Sequence, residues 1–267
     1  LKIGKWADLP RRLLTGLIGV PIAIMAIAAG FPIYFVLGII VAILTLREYC
    51  RLVNPQNALG WWLAHFLVLV CSFCALLIDF TPFAALCVAI LVGGFIGSYF
   101  MRKGWEYFVP NYVYFVLGAI YIGLPISLLL VVRGRPDGVW WVLMFLFTNW
   151  GTDTFALLGG RLFGTHKLAP TISPGKTVEG AVIGYICGAL SGFVVAQLGG
   201  LPLNPTLISA VTLPLFAILG DLFESWLKRR YHVKDSGNIL PGHGGFLDRI
   251  DGILLAAPVL YLILLLY

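Results

Sequence analysis

Five Lys or Arg, three Asp and two His fall within residues 225–251, a run that reads SWLKRRYHVKDSGNILPGHGGFLDRID. Basic side chains suit phosphate groups, and clustered carboxylates suit a hard divalent cation. The rest of the chain is almost entirely apolar. Both signs of charge, concentrated in one place of an oily chain, point to phosphate chemistry at the boundary between lipid and water.

Acids inside apolar stretches form a second group. A charge at the bilayer centre costs ~3 kcal/mol on insertion scales, so such residues mark function. Asp153, Asp221 and Glu224 are of this kind. Asn149 and Asp153 are four apart and share a helix face. Asp221, Glu224, Ser225 and Lys228 recur at i, i+3, i+4 and i+7 and share another. Glu224 has an ordinary alternative as an i,i+4 ion pair with Lys228. Asp221 has no basic residue three or four positions away, which favours a ligand role.

Asp248 and Asp251 can share a face where a loop enters the last helix, although helix N-termini favour carboxylates in any case. Gly244-Gly245 lets backbone N–H groups close on an anion, Pro241-Gly242 supplies a turn, and His243 and Arg249 stand beside them.

A second polar loop, GGRLFGTHKLAPTISPGKTVEG, precedes another apolar segment. Its Pro-Gly-Lys-Thr imitates the end of a P-loop. Pro170 occupies the first required glycine position and no strand precedes it, so the motif is rejected. Ser173, Lys176, Thr177 and Glu179 remain at a helix start, where orphan N–H groups bind phosphate and where Ser/Thr with Glu also fits plain capping.

The elements that must position these groups follow from composition. Of 267 residues, 60% are hydrophobic and 11% charged, against roughly 25% charged in soluble domains. Mean hydropathy is +0.96. An all-α, polytopic membrane bundle is expected. Nine apolar segments stand at roughly 12–29, 31–46, 61–78, 82–101, 112–132, 138–160, 178–198, 205–228 and 252–267. The second and last are short, which leaves them stunted or shared with flanking turns. With the N-terminus cytoplasmic and the C-terminus outside, sixteen of eighteen Lys and Arg fall on the cytoplasmic side. Only Arg133 and Arg135 lie outside. The net charge of +6 is thereby explained without a nucleic-acid partner. No cleavable signal peptide is expected, because no small-residue cleavage site follows the first apolar run.

Trp61, Trp62, Trp140 and Trp141 fall at span ends and read as interface anchors. Gly180, Gly184, Gly188 and Gly192 make a stripe along one helix face, and Gly93 and Gly97 a shorter one; both suit packing within the chain or a homodimer seam. Cys71 and Cys74 have C-x-x-C spacing but no second pair or His to accompany them. Neither they nor Cys50, Cys87 and Cys187 are assigned a role. His65 reads as a packing residue and His232 as a solvated one.

Ser225-x-Leu227-Lys228-Arg229, then Lys234-Asp235-x-Gly237, then Leu240-Pro241-x-His243-Gly244-Gly245-Phe246-x-Asp248-Arg249-Ile250-Asp251 resembles the signature of the phosphatidate cytidylyltransferases (CDP-diacylglycerol synthases). About a dozen fixed identities match, with no departure. Asn149, Asp153, Gly159-Gly160-Arg161 and Ser173-Pro174-Lys176-Thr177-Glu179-Gly180 resemble that family too. The likeness covers roughly residues 140–267. It divides the chain into a lipid-embedded scaffold, residues 1–137, and a catalytic part, residues 138–267.

The resemblance implies Mg2+-dependent formation of CDP-diacylglycerol and pyrophosphate from CTP and phosphatidic acid, at the cytoplasmic face of a bacterial inner membrane. In that reading Asp221 and Asp248 hold Mg2+, with Asp251 or Asp153 as further ligands and room for a second cation. Lys176, Lys228, Arg229, Lys234 and Arg249 meet the triphosphate and the lipid phosphate. Ser173, Thr177, Glu179, Ser225, Gly244 and Gly245 complete the substrate-binding set, and His243 binds phosphate or protonates the leaving group. A groove open to lipid beside Asp221 is expected. The rival readings are a CTP-dependent polyprenol or phytol kinase and a secondary transporter; no matching pair of interrupted helices supports the latter.

Overall fold

The computed structural model describes residues 9–53, 117–237 and 244–267. Within them the apolar segments are helices. These are α1 (Leu9–Ala28), α2 (Phe31–Val53), a π-helical turn (Ala119–Gly123) running into α3 (Leu124–Gly134), α4 (Gly138–Phe163), α5 (Val178–Leu198), α6 (Leu203–Arg230) and α7 (Leu247–Leu266). A two-stranded hairpin, β1 (Lys167–Ala169) and β2 (Ser173–Thr177), joins α4 to α5. Among the described residues, four helices are long and apolar enough to cross a membrane: those over Pro32–Val53, Val178–Leu198, Leu203–Arg230 and Leu247–Leu266. The expected spans at 61–78 and 82–101, with Trp61, Trp62, His65, Cys71, Cys74, Cys87, Gly93 and Gly97, lie outside the described residues, as do Pro241, Gly242 and His243.

Two segments that look short in sequence are full helices. α2 runs 23 residues, about 34 Å at 1.5 Å per residue, because the helix continues through the polar Arg47–Arg51 turn. α7 runs 20 residues and starts in the polar loop, at Leu247. Gly30, with φ +104°, makes the tight reversal between α1 and α2 that leaves no room for an intervening domain.

α4 and α5 pack most closely, and the glycine stripe is the reason. A Cβ on Gly184 would lie 2.6 Å from the Thr152 carbonyl oxygen and 2.7 Å from the Ala156 Cβ. Gly180, Gly188 and Gly192 meet Ala156, Thr152 and Thr148 in the same way. The stripe is therefore consumed inside the chain, against α4, as small-residue faces in membrane helices commonly are. The opposite face of α5 shows Val182, Ile186, Leu190, Val194 and Leu198 outward at every fourth residue, a surface suited to acyl chains. Gly220 of α6 and Gly252 of α7 make the other close crossing; a Cβ on Gly220 would sit 2.9 Å from the Gly252 Cα.

One apolar core takes Ile27 of α1, Tyr34 of α2, Leu130 of α3, Phe145 of α4, Ala196 of α5, Leu213 of α6 and Leu260 of α7, so residues on both sides of position 137 share it. Trp141 belongs to this core and is buried, which corrects its reading as an interface anchor. Trp140, half a face away, is partly exposed and covers Gly199. A second core, with Leu46, Tyr49 and Cys50 of α2, Ile122, and Leu247 and Leu254 of α7, lies at the polar end of the bundle. At the other end Arg133 Nε donates to the Ile27 carbonyl (2.9 Å) and Arg135 Nη1 to the Leu264 carbonyl (2.7 Å). Each arginine satisfies an orphan carbonyl at a helix C-terminus, where cations are favoured.

Candidate active site

The charged residues gather where α6, α7, α4 and the hairpin meet. Asp221 and Glu224 are one turn apart on α6, and the Gly220–Gly252 crossing brings α7 and its Asp251 alongside. Lys176 of β2 reaches across to Asp221: Nζ stands 2.6 Å from Oδ2. Asp251 is buried, and its charge interacts with those of Asp221, Asp153 and Glu224. Asp153 lies on the exposed side of α4, within electrostatic reach of Asp221, Lys176 and Arg249. Three aspartates from three helices thus face two cations.

Beside this group lies a second. Lys228 Nζ is 2.6 Å from Glu224 Oε2 and 2.6 Å from Asp248 Oδ1. The Glu224 carboxylate is fully buried and the Asp248 side chain is 7% exposed, so the ammonium offsets charge that water does not reach. The i,i+4 alternative for Glu224 is thus realised, and the same lysine also serves Asp248. Asp248 accepts from two backbone N–H groups as well, Gly245 N at 2.7 Å and Ser236 N at 3.1 Å to Oδ2. Gly244 adopts φ +79°, and a Cβ there would be 2.6 Å from Asp248 Oδ2. The glycine pair does shape an anion site, and within the chain the anion it receives is the Asp248 carboxylate.

The hairpin is held from both ends. Glu179 accepts from Thr165 N (3.1 Å) and Oγ1 (2.5 Å) and from His166 N (3.1 Å), and it pairs with His166 Nδ1 at 2.6 Å. Thr177 caps α5, its Oγ1 accepting from Gly180 N at 3.2 Å. Arg229 Nε donates to the Ile172 carbonyl at the hairpin turn, and its Nη1 to the Val233 carbonyl. These three side chains build the frame that carries Lys176 and Ser173. Ser225 and Ser173 are partly exposed, and Lys234, Arg249 and His232 are exposed. Asn149 is buried, with its amide donating back to the Phe145 carbonyl at 2.8 Å.

One residue of this site has no counterpart among those expected. Glu48 of α2 is 2% exposed and accepts from Ser236 Oγ (3.1 Å) and Leu247 N (2.9 Å). Glu48 falls just past the apolar segment 31–46, between Arg47 and Arg51, so it lacked the signal that singled out Asp153 and Asp221.

Among the described residues no three His, Cys, Asp or Glu side chains stand in a metal-holding arrangement. The donors nevertheless suit Mg2+, which takes hard oxygens and is usually held by one or two carboxylates together with substrate phosphates rather than by an all-protein cage. Asp153, Asp221 and Asp251 repel one another, and a divalent cation would relieve that repulsion.

A charged cluster at one end of apolar, membrane-length helices fits an integral membrane protein. Residues 10–267 match the cytidylyltransferase family, and the chain belongs to that family. It is similar to the phosphatidate cytidylyltransferase of Rickettsia bellii (strain RML369-C), 36% identical over 206 residues, covering 74% of this chain and 87% of that protein. The Rickettsia felis (strain ATCC VR-1525 / URRWXCal2) protein of the same name is 39% identical over 158 residues, 56% of this chain and 70% of that one. That of Staphylococcus haemolyticus (strain JCSC1435) is 43% identical over 152 residues, 56% and 58% respectively.

Proposed function

We propose that this chain is a phosphatidate cytidylyltransferase, making CDP-diacylglycerol and pyrophosphate from CTP and phosphatidic acid. The observation that carries the reading is the family match over residues 10–267, with relatives named for that activity. The lysine-neutralised carboxylates at the end of an apolar bundle agree with it.

A phosphate oxygen of phosphatidate attacks the α-phosphorus of CTP. The bond from that phosphorus to the oxygen bridging to the β-phosphorus breaks, and pyrophosphate leaves with the electron pair. A phosphate monoester is largely ionised near neutral pH, so no strong base is needed. The obstacle is repulsion between two polyanions, and positioning with charge neutralisation is what the protein contributes. Lys176 is set to release Asp221 and turn to an incoming phosphate, because it is held by one ion pair on a hairpin. Arg249 and Lys234 are exposed cations for the same purpose. Mg2+, when bound, supplies charge neutralisation between the two substrates. Asp221, with Asp251 and Asp153 beside it, and Asp248 would hold it, and four carboxylates leave room for a second cation.

The site faces the cytoplasm of a bacterial inner membrane in this reading, with N-terminus in and C-terminus out across nine spans. The grouping of Arg47, Arg51, Lys176 and Lys228 at one end of the bundle, with Arg133 and Arg135 at the other, supports that orientation. The test is an assay of detergent-purified protein with phosphatidic acid, Mg2+ and CTP labelled at the α-phosphorus. Label entering lipid as CDP-diacylglycerol, with release of pyrophosphate, is expected. Release of CDP with γ-phosphate on a lipid alcohol would instead identify a kinase.

A further inference from the structure

Glu48 lies far from the charged run in sequence and sits against it in space. It is on α2, with the exposed Arg47 and Arg51 beside it in sequence. Its carboxylate is buried and reaches the loop between α6 and α7 from the inside. Oε2 accepts from Ser236 Oγ on the outgoing arm of that loop and from Leu247 N on the returning arm. The chain closes around it: a Cβ added to Gly237 would be 2.5 Å from Oε1, and one added to Gly245 would collide with Oε2. The two glycines are there, on this geometry, to admit the carboxylate.

The same short stretches hold Asp248. Ser236 gives its hydroxyl to Glu48 and its backbone N–H to Asp248. Gly245 gives its N–H to Asp248 and packs against Glu48. Leu247, whose N–H goes to Glu48, is the residue before Asp248. Both backbone groups that fix Asp248 are therefore within two residues of a group fixed by Glu48.

Among the described residues the Glu48 carboxylate accepts from neutral donors alone and Oε1 has no hydrogen-bond partner, a costly state for a buried charge. Plain apolar packing would tie α2 to α7 at less cost, and Leu46, Tyr49 and Cys50 already do so. What apolar packing cannot do is fix two N–H and O–H groups at set positions on a loop.

We propose that Glu48 is a positioning residue for the transfer reaction: it clamps both arms of the α6–α7 loop and thereby sets the place and direction of the Asp248 carboxylate. α2 then belongs to the catalytic apparatus as well as to the scaffold. The inference rests on the cytidylyltransfer reading.

The experiment compares Glu48→Ala, Glu48→Gln and Ser236→Ala with the wild type in detergent, following CTP kinetics and backbone amide exchange at Ser236, Gly245 and Leu247. Glu48→Ala is expected to lower kcat by about 10–100-fold, as removal of an orienting partner does elsewhere, with KM for CTP within about threefold. Its amides at the three positions exchange faster. Glu48→Gln keeps an oxygen that can accept from both donors, so it restores kcat to within about fivefold and restores protection. Ser236→Ala loses one contact and gives an intermediate result, which decides the matter should Glu48→Ala not fold. Unchanged kcat in Glu48→Ala, or unchanged kcat and exchange in Ser236→Ala, overturns the proposal. So does a Glu48→Gln variant as inactive as Glu48→Ala, since the charge itself would then be what matters. If the wild type makes no CDP-diacylglycerol, the functional reading fails separately, and the exchange data still judge the clamp.

Discussion

Lys176 Nζ stands 2.6 Å from Asp221 Oδ2, joining the five-residue strand β2 to the C-terminal half of α6. The pair gives Asp221 the basic partner that its own helix lacks. It also means that any cation drawn to Asp221 competes with a lysine. Replacing Lys176 with Ala leaves Asp153, Asp221 and Asp251 opposed by less positive charge. Turnover should fall by about 10²–10³-fold, the scale for losing one electrostatic stabiliser of a transition state. The Mg2+ concentration for half-maximal activity should fall with it, because the competitor is gone. Mg2+ titration of residual activity checks both; wild-type turnover with unchanged Mg2+ dependence would place the pair outside the reaction.

Lys228 carries a stability prediction. Its side chain is 13% exposed and neutralises Glu224, which is fully buried, and Asp248. Lys228→Met leaves two carboxylates without that cation, and breaking a buried pair from one side costs about 3–5 kcal/mol. Thermal melting in detergent should show a lowered Tm. Adding Glu224→Gln to Lys228→Met should recover part of the loss, since one uncompensated charge is removed. A double variant no more stable than the single one would show that Glu224 is not the source of the penalty.

Asp248→Asn keeps the shape of the side chain but not its charge. An amide sets donor against donor whichever way it turns, its NH2 facing either the Gly245 and Ser236 N–H groups or the Lys228 ammonium that Oδ1 now accepts from. CDP-diacylglycerol formation should drop at least about 100-fold, and Tm should fall as well, because Lys228 loses one of its two carboxylate partners. Near-normal turnover would remove Asp248 from the catalytic set.

The helical faces were legible before any coordinates because they repeat. Asp221, Glu224 and Lys228 share one face of α6, and the four glycines share one face of α5, as 3.6-residue periodicity requires. Pairings across 45 residues, such as Lys176 with Asp221, or across 188, such as Glu48 with Ser236, leave no periodic trace. The hairpin was hidden for another reason. Strands of three and five residues, one of them Ser-Pro-Gly-Lys-Thr, show no alternation of apolar and polar positions. Trp141 misled because adjacent residues on a helix point about 100° apart, so a tandem pair at a span end cannot both face the interface.

The glycine stripe yields a contrast within one helix. Gly188→Leu would drive a side chain into the Thr152 hydroxyl and the Thr148 carbonyl, both within or below van der Waals contact of the added Cβ. α4 and α5 cannot separate without uncovering those groups, so the variant should lose monodispersity in detergent. Ile186→Leu, on the outward face of the same helix, should melt like the wild type. Size-exclusion profiles and Tm separate the two; equal tolerance would mean that the α4–α5 crossing is not what holds the bundle together.

Glu179 controls the hairpin without standing at the charged cluster. Its carboxylate gathers four groups of Thr165 and His166, at the entry to β1. Thr177 caps α5 independently, so Glu179→Ala should leave that helix start intact while loosening the strand pair that bears Lys176. A loosened hairpin exposes its backbone more often, and local opening of this kind is what a protease samples. Trypsin should therefore cut after Lys167 faster in Glu179→Ala than in the wild type. KM for CTP should rise in parallel, as Lys176 spends less time in place. Equal cleavage rates would mean that strand pairing and the Arg229–Ile172 contact hold the hairpin by themselves, and the KM change would then have to come from Glu179 meeting substrate directly.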